Sequence, residues 1–263
     1  MMTLEIRDLS IGYRGKPLLE GVSLSACAGE MIAVLGENGC GKTTLLRTLA
    51  GNLAPLAGSM TLNGTPLSSL NVRRRASLVS YMAQDIVPEA GLCGMDRIEM
   101  SFYHQKGLFG KLTHKERADV YRLAERFGIA HLWDRDLVEM STGERQTVML
   151  LGAALQDTPL LLLDEPASAL DFNRTEQLFS LLRYLCSQGR TVVIVLHDPT
   201  QALRYATKLC KISAGRVDLL DPTRMDTAQL ECSLREIYPN LRIHTDPLFC
   251  YTDGREGEEN ADL

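Results

Sequence analysis

Gly36-Glu37-Asn38-Gly39-Cys40-Gly41-Lys42-Thr43 is the stretch that decides the fold. It has the spacing G-x-x-x-x-G-K-[ST]. It follows the short apolar run Met31 to Leu35 and precedes a helical stretch that reaches Ala50 and is stopped by Gly51. A buried strand, a glycine-rich turn and a helix start, in that order, build a cradle for a phosphate chain. The glycines let backbone N–H groups curl around a triphosphate, and the helix N-terminus adds roughly half a positive charge. Lys42 is spaced to reach the β- and γ-phosphates, and the Thr43 hydroxyl to ligate Mg²⁺. Gly36, Glu37, Asn38, Gly39, Cys40, Gly41, Lys42, Thr43 and Thr44 are therefore candidate nucleotide-binding residues. Such a loop by itself does not separate ATPases from GTPases or small-molecule kinases.

Further along, Leu160-Leu161-Leu162-Leu163-Asp164-Glu165 makes that separation. Four apolar residues bury a strand, and the Asp164 carboxylate at its exit is placed to hold the Mg²⁺ shell, usually through water. Glu165, one residue on, points elsewhere and is free to accept a proton from water attacking the γ-phosphate. Two adjacent acids with two roles indicate hydrolysis rather than binding alone. The competing reading makes Glu165-Pro166 a helix start with acids at its positive end.

Composition excludes other classes. The 263 residues are 45% hydrophobic and 23% charged, the globular average, which disfavours disordered, collagen-like and fibrous chains. The longest apolar runs, Leu160 to Leu163 and Val192 to Leu196, fall far short of the roughly 18 residues that cross a bilayer. Met1 to Asp8 interleaves charges where a secretory signal holds an unbroken apolar stretch, which predicts a chain that stays in the cytosol. The net charge of −5 is mostly local, because Asp253, Glu256, Glu258, Glu259 and Asp262 face only Arg255 at the end of the chain. The near-neutral body has no bulk electrostatic reason to seek nucleic acid or anionic lipid, and Arg73-Arg74-Arg75 reads as a solvated surface. Seven cysteines without a C-x-x-C pair predict reduced, mostly buried thiols and no zinc site. A thiol-alkylating reagent is expected to inhibit through Cys40, and ATP to protect. Trp133 is expected in the core.

Thr3 to Ile11 and Ser23 to Ala28 alternate apolar and polar residues as half-buried antiparallel strands do, and Ser59 to Asn63 and Ser77 to Met82 predict further strands. Thr113-His114-Lys115-Glu116 is a capping box; Val120, Leu123, Ala124 and Phe127 then share one helix face before Gly128. Residues 90–155 read as a mostly α-helical insertion. The strand Leu160 to Leu163, the helix face Leu178, Leu181, Leu182 and Leu185, and the strand Thr191 to Leu196 then form a parallel crossover unit. A short helix is expected around Thr227 to Ile237. The prediction is an α/β P-loop NTPase core with a mixed sheet, an antiparallel β edge subdomain and an α-helical insertion within residues 1–222, then a C-terminal extension, 223–263, with an acidic tail.

Between the loop and the acid pair lies Met140-Ser141-Thr142-Gly143-Glu144-Arg145-Gln146, opening an apolar-rich helical run to Leu155. With the loop at Gly36 to Thr43, Gln84 after a strand, Ser141 to Gln146, Asp164-Glu165, Ser168-Ala169-Leu170-Asp171 and His197, the chain resembles the nucleotide-binding subunit of an ABC transporter over about residues 3–220. The resemblance implies that Tyr13 stacks on adenine. It makes Gln84 a contact of Mg²⁺ and the attacking water, with a loop that meets the membrane partner. His197 would bond the γ-phosphate and position the water. Ser141 and the N–H of Gly143 would close on the ATP of a second copy, and Asp171 would link the two sites across that interface. The implied cofactors are ATP and Mg²⁺. The implied partners are an integral-membrane permease, a second copy of this chain in an ATP-sandwich dimer and, indirectly, an extracytoplasmic substrate-binding protein, at the cytoplasmic face of the plasma membrane. The sequence departs from the family at Thr142, usually glycine, and at Pro199, usually aliphatic.

Leu196-His197-Asp198 with Gln201-Ala202, Arg204-Tyr205-Ala206 and Gly107-Leu108-Phe109-Gly110 is similar to the importer branch for ferric siderophores, haem or cobalamin. A groove formed by Gln84 to Gly94 and the helical insertion is expected to receive a permease helix. The competing class is a soluble ABC ATPase of iron–sulfur assembly, translation or DNA maintenance; a binding-only module conflicts with the complete acid pair and histidine.

Overall fold

The structure, a computed structural model, describes residues 3–84, 90–107 and 112–243. The strands are β1 (Thr3–Tyr13), β2 (Lys16–Cys27), β3 (Met31–Gly36), β4 (Ala57–Leu62), β5 (Thr65–Pro66), β6 (Val79–Met82), β7 (Leu160–Asp164), β8 (Thr191–Val195), β9 (Lys208–Ser213) and β10 (Arg216–Leu220). The helices are α1 (Lys42–Leu49), α2 (Val72–Ala76), α3 (Gly94–Ser101), α4 (Tyr103–Lys106), α5 (His114–Arg126), α6 (Thr142–Leu155), α7 (Phe172–Ser187), α8 (Pro199–Tyr205) and α9 (Thr227–Leu234).

Two sheets organise these elements. One is antiparallel, in the order β2-β1-β4-β5; the other runs β10-β9-β3-β8-β7-β6, parallel from β9 to β6 with β10 antiparallel at its edge. The parallel strands β3, β7 and β8 are buried along their whole length because both faces of the sheet are covered. Alternation divides their side chains between two cores. Ala33, Leu161, Leu163, Val192 and Ile194 join the cluster under α5, α6, α7 and α9, while Val34, Leu160, Leu162, Val193 and Val195 join the cluster shared with α1 and the antiparallel sheet. Stacking a parallel sheet between helices on one side and a helix plus a second sheet on the other gives the α/β fold expected from the sequence.

Local chemistry sets the helix starts. Thr113 and Glu116 form the expected capping box on α5, Asp198 caps α8 with Pro199 at its first position, and Ser141 and Glu144 box the start of α6. Trp133 lies in the core, 8% exposed.

Several expectations change. β2 starts at Lys16 rather than Ser23, its first half tied to β1 through Pro17 and Leu19. The β9–β10 hairpin escaped the sequence reading; its signal was the turn Ala214-Gly215, where both residues have positive φ as a tight hairpin turn demands. Arg73 and Arg74 are solvated, but Arg75 is half-buried and its guanidinium donates to the carbonyls of Gly51, Leu67 and Leu70, tying α1 to α2. Among the described cysteines Cys210 alone is buried; Cys27 and Cys232 are exposed and Cys40, Cys93 and Cys186 lie between, so the thiols are not mostly buried. Residues 85–89 of the expected permease groove, Leu108-Phe109-Gly110, Cys250 and the acidic tail lie outside the described residues.

Candidate functional site

Parallel strands converge at their C-terminal edge, where an open α/β sheet leaves a crevice for ligand. The turn after β3, the residue after β7, the residues past β8 and the exit of β6 all meet there. They enclose a cavity of about 360 Å³ lined by Leu18, Asn38, Gly39, Gly41, Lys42, Thr43, Thr44, Gln84, Glu165 and His197.

The floor is the glycine-rich turn. Gly41 caps α1 at φ 111°, a conformation in which a Cβ would be strained, and it aims the first N–H groups of α1 into the cavity. Lys42 is 6% exposed, and its ammonium donates to the carbonyls of Gly36 (2.7 Å) and Glu37 (2.9 Å). Those bonds hold the turn curled around the lysine. Cys40 does not line the cavity; its side chain packs against the apolar cluster beneath the turn. Burial pushes its thiol above the usual range, against the opposing pull of Lys42. Glu37 is also outside the lining.

Glu165 stands in the opposite wall, with the buried Asp164 behind it. The Thr43 hydroxyl donates to Asp164 Oδ1 at 3.2 Å, and Tyr81 Oη to Asp164 Oδ2 at 3.4 Å. Asp164 is fully buried, and burial raises its carboxyl pKa, partly offset by the Thr43 bond. Glu165 sits at φ 52°, a left-handed conformation that costs a non-glycine residue about 1–2 kcal/mol. Its carbonyl is held there by Gln146 Nε2 (2.9 Å) and Ser168 Oγ (3.0 Å). That backbone excludes the reading of Glu165-Pro166 as a helix start; α7 begins at Phe172, with Asp171 as its cap. The same conformation turns the Glu165 carboxylate into the cavity, where Oε1 lies 2.5 Å from His197 Nε2 and Oε2 accepts from Gln84 Nε2 at 2.7 Å.

Of the predicted residues beyond the glycine-rich turn and the acid pair, Tyr13, Ser141, Gly143 and Asp171 lie apart. Tyr13 is 48% exposed, with its hydroxyl 3.4 Å from Thr44 Oγ1, and it does not line the cavity. Ser141, Gly143 and Asp171 are also outside it. Ser141 is exposed at the start of α6. A Cβ on Gly143 would stand 2.7 Å from the Ala169 carbonyl oxygen, so glycine is needed there for the approach of α6 to the segment after Glu165. Thr142 takes helical φ as the first residue of α6, so the β-branched side chain brings no left-handed strain.

Sequence reasoning missed three contributors: Leu18 in the wall, Tyr81 on Asp164, and the role of Gln146. Gln146 is 3% exposed; besides its bond to Glu165 O it accepts from the Ala169 N–H at 3.2 Å and reaches Ser168 Oγ at 3.0 Å. The available signal was weak, because Gln146 stands among the polar residues Thr142, Glu144, Arg145 and Thr147 at the start of α6.

Residues 19–168, more than half of the chain, match the family described as ABC transporter. The chain belongs to the ABC transporter family. It is 30% identical over 249 residues to the iron(3+)-hydroxamate import ATP-binding protein FhuC of Bacillus subtilis, covering 94% of this chain and 92% of that one. It is 34% identical over 217 residues to the cobalamin import ATP-binding protein BtuD of Halobacterium salinarum, spanning 82% of this chain and 54% of that protein. A solved ATP-binding subunit of an ABC transporter superposes with a TM-score of 0.78 at 25% identity, over 90% of this chain and 98% of its own. This ABC transporter chain is an ATP-binding, ATP-hydrolysing subunit, and the soluble, non-transport alternative finds no support. Among its described residues no helix is long and apolar enough to cross a membrane.

Proposed function

We propose that this chain is the ATPase of a membrane importer for an iron chelate or a related metal-bearing cofactor, working as a dimer that holds ATP between two copies at the cytoplasmic face of the membrane. The observation that carries the catalytic part is the Glu165 carboxylate, held between His197 Nε2 at 2.5 Å and Gln84 Nε2 at 2.7 Å at the mouth of a cavity whose floor is Lys42 and Thr43. The import reading rests on the iron-hydroxamate and cobalamin relatives, with a permease and an extracytoplasmic binding protein supplying the path for cargo.

The donor set fits Mg²⁺. Thr43 Oγ1, the Asp164 carboxylate and the Gln84 carboxamide are all oxygen ligands, and no cluster of three His, Cys, Asp or Glu stands among the described residues to make a complete protein cage. Magnesium commonly takes one or two carboxylates and completes its shell with substrate phosphate and water. When bound it would neutralise charge on the β- and γ-phosphates.

The residues then divide the work. Lys42 exchanges its bonds to the Gly36 and Glu37 carbonyls for phosphate oxygens, while the N–H groups around Gly39 and Gly41 cradle the chain. Glu165, released from His197 and Gln84, accepts a proton from the attacking water, and the His197 imidazole meets the γ-phosphate. Tyr13 offers its exposed ring to adenine. Ser141 and Gly143 of one copy close on the nucleotide of the other, and Asp171 faces the partner's site. Their position outside their own cavity supports a site completed in trans.

The test is Glu165→Gln. Fluorescent-nucleotide titration should give ATP binding close to wild type while turnover falls by about a hundredfold or more, the scale for losing a general base. Wild-type hydrolysis by the purified variant removes the assignment. Co-purification of a polytopic membrane protein, and uptake of its cargo lost with the same variant, tests the importer.

A further inference from the structure

The described chain past β10 folds back against the ATPase core and, through Tyr238, reaches the loop of His197. Leu230, Leu234, Ile237 and Leu241 are buried in the cluster beneath the parallel sheet. Glu236 reaches the ammonium of Lys211, which lies on β9 and is only 2% exposed, at 2.7 Å; Asp218 takes the same ammonium at 3.0 Å. Backbone bonds from Ile237 and Tyr238 to Leu234 O and from Leu241 to Tyr238 O close a compact turn after α9. The phenol of Tyr238 is thereby held at one place, and its hydroxyl donates to the His197 carbonyl at 3.0 Å.

His197 stands between two fixed points. Leu196 N–H bonds Val34 O at the end of the sheet, and the Asp198 carboxylate caps α8 through Thr200 N–H at 2.8 Å. The His197 carbonyl lies between these anchors, and a rotation of its peptide would swing the imidazole away from Glu165. We propose that Tyr238 is a positioning residue for His197: its hydroxyl fixes the His197 carbonyl, sets the direction of the side chain and keeps Nε2 facing Glu165. The segment after Leu220 is then part of the catalytic unit. This inference rests on the reading of His197 as the γ-phosphate contact.

The experiment uses the full chain with Tyr238→Phe, which removes one oxygen and leaves the half-buried ring packed against the core. Losing one hydrogen bond at a positioned group predicts a kcat about threefold to tenfold lower. The KM for ATP should stay within about twofold, because nucleotide binding rests on the glycine-rich turn. A structural role alone would not move the second readout, the imidazole resonance of His197 in ¹³C-labelled full chain, assigned by its loss in His197→Ala. Tyr238→Phe should shift that resonance and leave the His131 signal in place. A wild-type kcat, or an unmoved His197 resonance, overturns the inference. The two levels separate cleanly: His197→Ala with wild-type hydrolysis removes the role of His197 itself, whereas an inactive His197→Ala beside a normal Tyr238→Phe removes the positioning role alone.

Discussion

Lys42, Thr43, Gln84, Glu165 and His197, which line this cavity, all have partners inside the protein. Lys42 holds loop carbonyls, Thr43 holds Asp164, and Glu165 is shared by His197 and Gln84. On the proposed reading, ATP replaces these bonds as it enters, and the carboxylate proposed to take water's proton must be released from His197 and Gln84. Cys40 shows how a neighbour of that site can be insulated from it. The thiolate is the form that alkylates, and a raised thiol pKa leaves little of it at neutral pH. Cys40 should react more slowly at pH 7.5 than the exposed Cys27 and Cys232, and its rate should climb steeply as pH passes 9, with ATP protecting throughout. Peptide mass mapping across pH checks this. Inhibition of Cys40→Ala equal to that of the wild type excludes the Cys40 route.

At the level of elements, α6 has two tasks at one residue. The Ser141 hydroxyl accepts from Glu144 N–H at 3.3 Å, and Glu144 answers by accepting from Ser141 N–H at 2.8 Å, a bond that holds its carboxyl below the usual range. The same hydroxyl is proposed to bind the partner copy's phosphate. Substitution can split the tasks. Ser141→Ala loses the cap, about 1 kcal/mol, and should lower the melting midpoint by about 2–4 °C. Ser141→Asp keeps a good cap but sets a carboxylate against the triphosphate, so it should melt like wild type and lose at least about tenfold in hydrolysis. Equal activity of the two variants would show that Ser141 only caps. At the other end of this first turn, Gln146 bonds the Glu165 carbonyl, so the element proposed to touch one nucleotide is tied to the residue proposed as the base acting on the other.

For the whole molecule, one chain carries a complete floor and acid wall but keeps Ser141, Gly143 and Asp171 outside its own cavity. The active species proposed above is a pair in which each copy finishes the other's site. In sedimentation, Glu165→Gln should pass from monomer to dimer on adding ATP and Mg²⁺, and adding Ser141→Asp to the same chain should return it to monomer. A lone protomer at saturating ATP would end the two-site scheme.

The sequence by itself determined the chemistry of each station. The G-x-x-x-x-G-K-T turn, the acid pair after four leucines, the capping boxes and the histidine at a strand exit are local patterns, and short-range backbone geometry acts on them wherever they lie. Tertiary structure alone decided which stations meet. Gln146 and Glu165 are 19 residues apart, Tyr238 and His197 41, and Tyr81 and Asp164 83, and these pairs touch only because the parallel sheet brings its strand exits to one edge and α6 and the segment after α9 pack against them. The left-handed turn of Glu165 likewise belongs to the assembled fold. No propensity asks a glutamate for positive φ, and the bonds that hold it there come from a distant helix and a following turn.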